Sequence, residues 1–120
     1  MAFILLVEDD ETTAALVGQL LEDAGHQVKV SGDPIEALEW LEEFRPDLVL
    51  CDLWLPGMSG AEFRREMDKR AETTRIPVVL LTGVSRSARG DTSMFDAVVE
   101  KPFELDALLN TIDQVLEQPR

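Results

Sequence analysis

Two adjacent acids, Glu8 and Asp9, a lone acid, Asp52, a hydroxyl at Thr82 and an amine at Lys101 are the side chains of this sequence that could act as one chemical unit. They share a setting. Glu8 follows the apolar run Phe3 to Val7, Asp52 follows Leu48 to Cys51, Thr82 follows Val78 to Leu81, and Lys101 lies just past Ala97 to Val99. Each therefore falls where a short buried strand yields to a loop. An unpaired carboxylate resists desolvation, so Asp52 at such a lip calls for a cation or a metal beside it. Three carboxylates brought together would repel by about 4 kcal/mol per pair at about 4 Å and an effective dielectric near 20. A divalent cation relieves that repulsion, and an all-oxygen donor set without His or Cys suits a hard ion such as Mg²⁺. Two acids for a metal, a third as nucleophile, a hydroxyl donor and an ammonium make a set for phosphoryl transfer.

Taken singly, each of these residues has a plainer reading. Glu8-Asp9-Asp10-Glu11 would be a solvated acidic turn, Thr82 a strand-end cap and Lys101 a surface lysine. Their joint occurrence at successive strand ends favours the chemical reading. His26 follows Gly25 in a loop and reads as a surface histidine, with no helix around it to make a phosphotransfer residue. Cys51 neighbours Asp52 and so points to the opposite face of the sheet, as a buried, inert thiol. Trp40 reads as helix packing, and Trp54 brings its backbone next to Asp52.

The elements that must position this set follow from periodicity. After the first strand and the acidic loop, a helix from Thr13 places Val17, Leu20, Leu21 and Ala24 on one face and ends at Gly25. Val28 and Val30 mark a second strand. Asp33-Pro34-Ile35-Glu36 supplies an N-cap, a first-turn proline and a reciprocal glutamate for a helix that turns Leu38 and Leu41 inward and closes at Arg45-Pro46. Beyond the strand of Asp52, Pro56-Gly57-Met58-Ser59-Gly60 reads as a loop, and Ser59 with Glu62 is a capping box for a helix carrying Phe63 and Met67 and ending among Ala71 to Arg75. Ile76 to Gly83 holds the fourth strand. Val84 to Ser93 has little apolar periodicity, so any helix there is short or irregular. Ala97 to Val99 is the fifth strand, and Leu105, Leu108, Leu109, Ile112, Val115 and Leu116 stripe a last helix that Pro119 stops.

Five continuously apolar strands separated by helices imply an α/β fold, a doubly wound five-stranded parallel sheet. The flavodoxin-like order 2-1-3-4-5 suits five such units, and its switch point lies between the first and third strands, where Glu8, Asp9 and Asp52 fall.

Composition narrows the alternatives. One domain spanning residues 1 to 120 is large enough for a core without disulfides. No apolar run approaches the roughly 20 residues of a membrane span, no basic segment precedes Phe3 as in a signal peptide, and the single cysteine fits a cytoplasmic protein. A net charge of −13 argues against direct nucleic-acid binding.

The motif set as a whole, over residues 3 to 117, resembles the receiver domain of two-component response regulators. The resemblance implies that Glu8 and Asp9 hold Mg²⁺, that Asp52 accepts the phosphoryl group and that the backbone carbonyl of Trp54 completes the metal shell. It implies further that Thr82 bonds a phosphoryl oxygen and that Lys101 pairs with the phosphate, before a proline whose peptide bond is often cis in this family. Pro56-Gly57 and Gly60 fit the family's loop after the acceptor. The partners it implies are a histidine kinase or a histidine phosphotransfer protein and an output partner that the sequence does not name. An aspartate-nucleophile phosphatase would usually need a second acid at position 54, which is Trp, and a partner-binding pseudo-receiver would not need the complete set.

Two departures from the family stand out. Three residues before Lys101, where the family usually carries Tyr or Phe as a rotamer switch, stands Val98, and the interval from Thr82 to Lys101 is about three residues short in the region of the fourth helix. The signal is therefore expected to emerge as ordering of residues 83 to 96, in a protein that stays monomeric.

Overall fold

The computed structural model describes residues 1 to 85 and 88 to 118. In chain order the first elements are β1 (Phe3–Val7), α1 (Glu11–Asp23), β2 (Gln27–Ser31), α2 (Pro34–Trp40), β3 (Leu48–Asp52) and a small hairpin of β4 (Trp54–Leu55) and β5 (Met58–Ser59). They are followed by α3 (Gly60–Asp68), α4 (Ala71–Thr74), β6 (Val78–Thr82), β7 (Ala97–Glu100) and α5 (Leu105–Glu117). The main sheet is parallel throughout, in the order β2-β1-β3-β6-β7, which is the expected doubly wound arrangement.

Alternation along each buried strand divides the core into two layers. Ile4, Leu6, Leu48, Leu50, Val79 and Leu81 face α1 and α5, where Ala14, Val17, Leu21, Leu108, Ile112 and Val115 meet them. Leu5, Val7, Val49, Cys51, Val78 and Leu80 face the other way, onto Ala37, Leu41, Phe63 and Met67. All twelve strand residues are at most 1% exposed. The strands are thus clamped from both sides, and their carboxyl ends are held at fixed spacing along one rim.

Several helix boundaries differ from the sequence reading. α1 begins at Glu11, two residues early, because Asp10 caps it through Thr13 N–H at 3.0 Å and also bonds the Thr13 hydroxyl. Its buried stripe is Ala14, Val17, Gly18 and Leu21, while Leu20 is only half-buried and Ala24 exposed. α2 starts as expected at Asp33 and Pro34, but the Asp33 N–H reaches Ser31 Oγ at 3.5 Å in place of Glu36. It ends at Trp40, whose indole stacks on Phe44 at 4.9 Å and meets the edge of Phe3 at 5.4 Å, and the Arg45 guanidinium takes up the Leu41 carbonyl.

α3 keeps its Ser59 and Glu62 capping box, with N–H···O distances of 3.1 and 3.2 Å, yet stops at Asp68 rather than running to Ala71. The break is fixed by Thr73, whose hydroxyl donates to the Met67 carbonyl at 2.6 Å, and by Arg64. That buried guanidinium donates to the Thr74 and Ile76 carbonyls, both at 2.7 Å, and pairs with Asp68 at 3.0 Å, anchoring the chain that enters β6.

The expected short or irregular fourth helix falls partly on residues 86 and 87, which lie outside the described residues, as does Pro119. Among the described residues 83 to 96 there is no helix but two turns, one in which Ala88 and Arg89 N–H both bond the Ser85 carbonyl at 3.0 Å and one closed by Phe95 N–H on the Thr92 carbonyl at 3.0 Å. The segment is pinned at its far end by buried Phe95 and by Asp96, whose carboxylate accepts from Val78 N–H at 2.8 Å.

Because Ser59 both starts α3 and closes the loop after Asp52, Ser59→Ala is expected to lower stability by about 1 kcal/mol. Urea unfolding checks it: the midpoint should fall with an unchanged slope.

Candidate functional site

β1, β3, β6 and β7 end side by side, and the sequence-selected side chains stand at those ends. Glu8 follows β1 and is 3% exposed, Asp52 closes β3 half-buried, Thr82 closes β6 fully buried, and Lys101 follows β7. Oxygens of Glu8, Asp9 and Asp52 all lie within 4.8 Å of one another, with Asp9 exposed at the mouth. Lys101 Nζ bridges the two deeper acids, 2.9 Å from Glu8 Oε1 and 3.4 Å from Asp52 Oδ2. Glu8 Oε2 also accepts from Asp10 N–H at 3.3 Å. The Lys101-Pro102 peptide bond is cis.

The electrostatics follow from burial. Desolvation raises the Glu8 pKa, and nearby Asp52 adds to it, against the lowering effect of the Lys101 hydrogen bond. Burial alone would lower the Lys101 pKa, but the bond to Glu8 and the charges of Asp52 and Glu8 outweigh it, and the ammonium is held above its ordinary value. The lysine is therefore a fixed cation at neutral pH. Three convergent carboxylate oxygens and no His or Cys ligand suit a hard, oxygen-loving divalent ion, so the donor set fits Mg²⁺.

Thr82 Oγ1 accepts from Val84 N–H at 3.0 Å, which leaves its proton free to donate elsewhere. Gly60 is also built into the site. A Cβ there would lie 2.5 Å from the Asp52 carbonyl oxygen and 3.2 Å from Leu53 Cα, so only glycine lets α3 begin this close to the end of β3. Its N–H donates to the Leu53 carbonyl at 2.7 Å, and the β4 and β5 hairpin turns around Gly57 at φ 75°. The sequence reading took this stretch as loop only.

Trp54 is 64% exposed, with its backbone in β4 two residues past Asp52. Cys51 is fully buried on the opposite face, and desolvation, with smaller contributions from Asp52 and Glu8, pushes its thiol pKa well up, as an inert thiol requires. His26 corrects the sequence reading. It is half-buried, and its Nδ1 accepts from Ala2 N–H at 3.0 Å, pinning the chain at the base of the sheet, away from the acids. Arg89 was missed altogether: its side chain is 5% exposed and pairs with Glu100 at 2.9 Å. No spacing in a run of small polar residues marks that arginine as buried.

A family model described as the response regulator receiver domain matches residues 4–113. Protein PilH of Pseudomonas aeruginosa is 33% identical over 119 residues, covering 97% of this chain and 98% of PilH. The phosphate regulon transcriptional regulatory protein PhoB of Rhizobium meliloti is 35% identical over 120 residues, covering 98% of this chain and 53% of PhoB. The chain thus spans about half of PhoB, and it spans 32% of the response regulator RpfG of Xanthomonas campestris. Among solved structures, the receiver domain of sensor histidine kinase PA1611 from Pseudomonas aeruginosa, described with a magnesium ion coordinated in its active-site cleft, is 26% identical with a TM-score of 0.89 over 98% of both chains.

Because the folded pKa of Glu8 lies above its unfolded value, ionising this carboxyl opposes folding, and the penalty grows as pH rises through the folded pKa. In metal-free protein, Glu8→Gln should therefore gain stability relative to the parent as pH climbs from about 4, near the unperturbed carboxyl value, towards neutrality. Urea titrations in EDTA across that range measure it, and a relative stability that falls with rising pH would contradict the burial argument.

Proposed function

Since the chain belongs to the response regulator receiver domain family, we propose that it accepts a phosphoryl group on Asp52 from a histidine kinase or histidine phosphotransfer protein and changes its binding to an output partner. The observation that carries this reading is Lys101 Nζ set between Glu8 and Asp52, beside a third carboxylate on Asp9. That arrangement offers a nucleophile, a fixed cation and a metal cradle at one rim. It is a signalling domain, and its only catalysis would be of its own phosphorylation and dephosphorylation, in the cytoplasm and as a monomer. None of its described helices is long and apolar enough to cross a membrane.

In this reading Glu8, Asp9, Asp52 and the Trp54 carbonyl hold Mg²⁺, which when bound neutralises charge on the acids and on the transferring phosphoryl oxygens. The chain's own groups do the rest. A carboxylate oxygen of Asp52 forms the bond to phosphorus as the bond to the donor's imidazole nitrogen breaks, and that nitrogen leaves with the electron pair. Lys101, already 3.4 Å from Asp52 Oδ2, neutralises an oxygen of the arriving group in place of part of its bond to the free acid. Thr82 turns its free hydroxyl proton to another. The acyl phosphate carries about −2 near neutral pH where the carboxylate carried −1, and this more negative group sits on a rim that holds two further acids, so the surrounding loops must answer it. With Val98 half-buried where the family usually keeps an aromatic, that answer falls to the 83 to 96 segment rather than to a ring.

Acetyl phosphate with Mg²⁺ is expected to add one phosphoryl group to the protein, read by intact mass, and Asp52→Asn should abolish the gain. An equally labelled Asp52→Asn protein would remove Asp52 from its role.

The lifetime of the aspartyl phosphate gives a second check. The side chains two residues after Asp52 and two after Thr82 are Trp54 and Val84, both apolar, which would flank the phosphoryl group and hinder the water that hydrolyses it. The phosphorylated protein should be long-lived, and a Trp54→Asn, Val84→Glu variant should release phosphate faster by about tenfold, the scale of one well-placed polar or general-base contact or less. Phosphate release at a rate equal to the parent's would count against this steric account.

A further inference from the structure

The loop that follows Thr82 is tied to the last strand through one buried cation. Val84 N–H donates to Thr82 Oγ1 at 3.0 Å, and the Val84 carbonyl accepts from Arg89 Nη2 at 3.1 Å. The same nitrogen pairs with Glu100 Oε1 at 2.9 Å, and Glu100 is the residue before Lys101. Two members of the site are therefore joined twice. Lys101 N–H donates to the Thr82 carbonyl at 2.7 Å, and a second route runs through Val84, Arg89 and Glu100.

This second route is poorly provided for its burial. The Arg89 side chain is 5% exposed, yet its Nε is buried with no hydrogen-bond partner, while the Glu100 carboxylate that balances its charge is 58% exposed. A buried guanidinium with an unmade bond and a half-wet counter-ion is a weak source of stability. Such an arrangement is easily opened.

We infer that Arg89 is a positioning residue, a latch that holds the Val84 loop against β7 in the unphosphorylated protein and opposes the movement of Thr82 towards a phosphoryl group on Asp52. The inference rests on the phosphoacceptor reading of Asp52. If Thr82 shifts to donate to a phosphoryl oxygen and Val84 N–H follows its acceptor, the Val84 carbonyl leaves Arg89. The guanidinium then keeps only the exposed carboxylate, and water becomes the better environment for it. Opening the latch would present a new cation on a protein whose net charge is −13, a change that an acidic partner surface could read.

The test is the rate at which acetyl phosphate with Mg²⁺ labels Asp52 in the parent, in the single variants Arg89→Gln and Glu100→Gln, in the double variant, and in the conservative control Arg89→Lys. Each single variant should label about threefold faster or more, a factor within reach of one half-exposed ion pair. The double variant should gain no further, because the two residues act as one unit, and the control Arg89→Lys, whose ammonium can still donate to the Val84 carbonyl and pair with Glu100, should stay closer to the parent's rate. Glu100→Gln leaves the buried packing untouched, so it reports even if Arg89→Gln folds poorly. A purely structural loss would slow labelling rather than speed it. Parent protein that labels, with folded variants that label no faster, overturns the latch alone. Parent protein that takes no label overturns the phosphoacceptor reading and the latch with it.

Discussion

The arrangement of this protein depends on carboxylates that are forced together. Glu8 and Asp52 end neighbouring buried strands, so their spacing is set by the sheet and cannot relax by side-chain drift alone. Their mutual repulsion is offset by one ammonium, Lys101, reached across the sheet from β7. The lysine in turn has lost part of its hydration and depends on the acids to remain where it is. Each member is thus unfavourable alone and acceptable only in the set. An arriving anion or cation must then redistribute every contact at the rim.

The core explains why the rim can hold that tension. Alternate residues of the central strands feed two separate apolar layers, each closed by helices, and none of the twelve strand residues involved is exposed by more than 1%. Such a clamped sheet resists small displacements, and movement is left to the loops beyond it. Gly60 carries the same logic to the end of β3, where the first residue of α3 sits against the Asp52 backbone with no room for a side chain. The Asp52 backbone is thus closely packed, while the loop after Thr82 is tied down through the hydrogen bonds of Val84.

Much of this was legible because it rests on local patterns. Continuous apolar runs give buried parallel strands, and the residue ending each run gives the site, so Glu8, Asp52, Thr82 and Lys101 fall together once the strand order is known. Helix starts at Asp33 and Ser59 were visible for the same reason, since a cap is a contact between near neighbours. What was not legible depends on partners distant in sequence. α3 is cut short by Arg64 reaching the Thr74 and Ile76 carbonyls, and periodicity from Phe63 onward runs straight through that break. His26 looked exposed because its partner is the backbone of Ala2, 24 residues away. Arg89 sits among residues of low apolar content, where pattern predicts solvent, and only the packed structure shows its burial.

Cys51 lies one residue from Asp52 and yet on the other side of the sheet, with no exposed surface and a thiol held in its neutral form by burial. Since it is the sole cysteine, it turns the sheet into its own clock. A thiol reagent reaches the sulfur only when the core around β3 opens, so the pace of alkylation, set against that of the unfolded chain's thiol, measures how far that opening is populated. The acidic rim and the core beneath it can therefore be followed separately: one through its charge, the other through its sulfur.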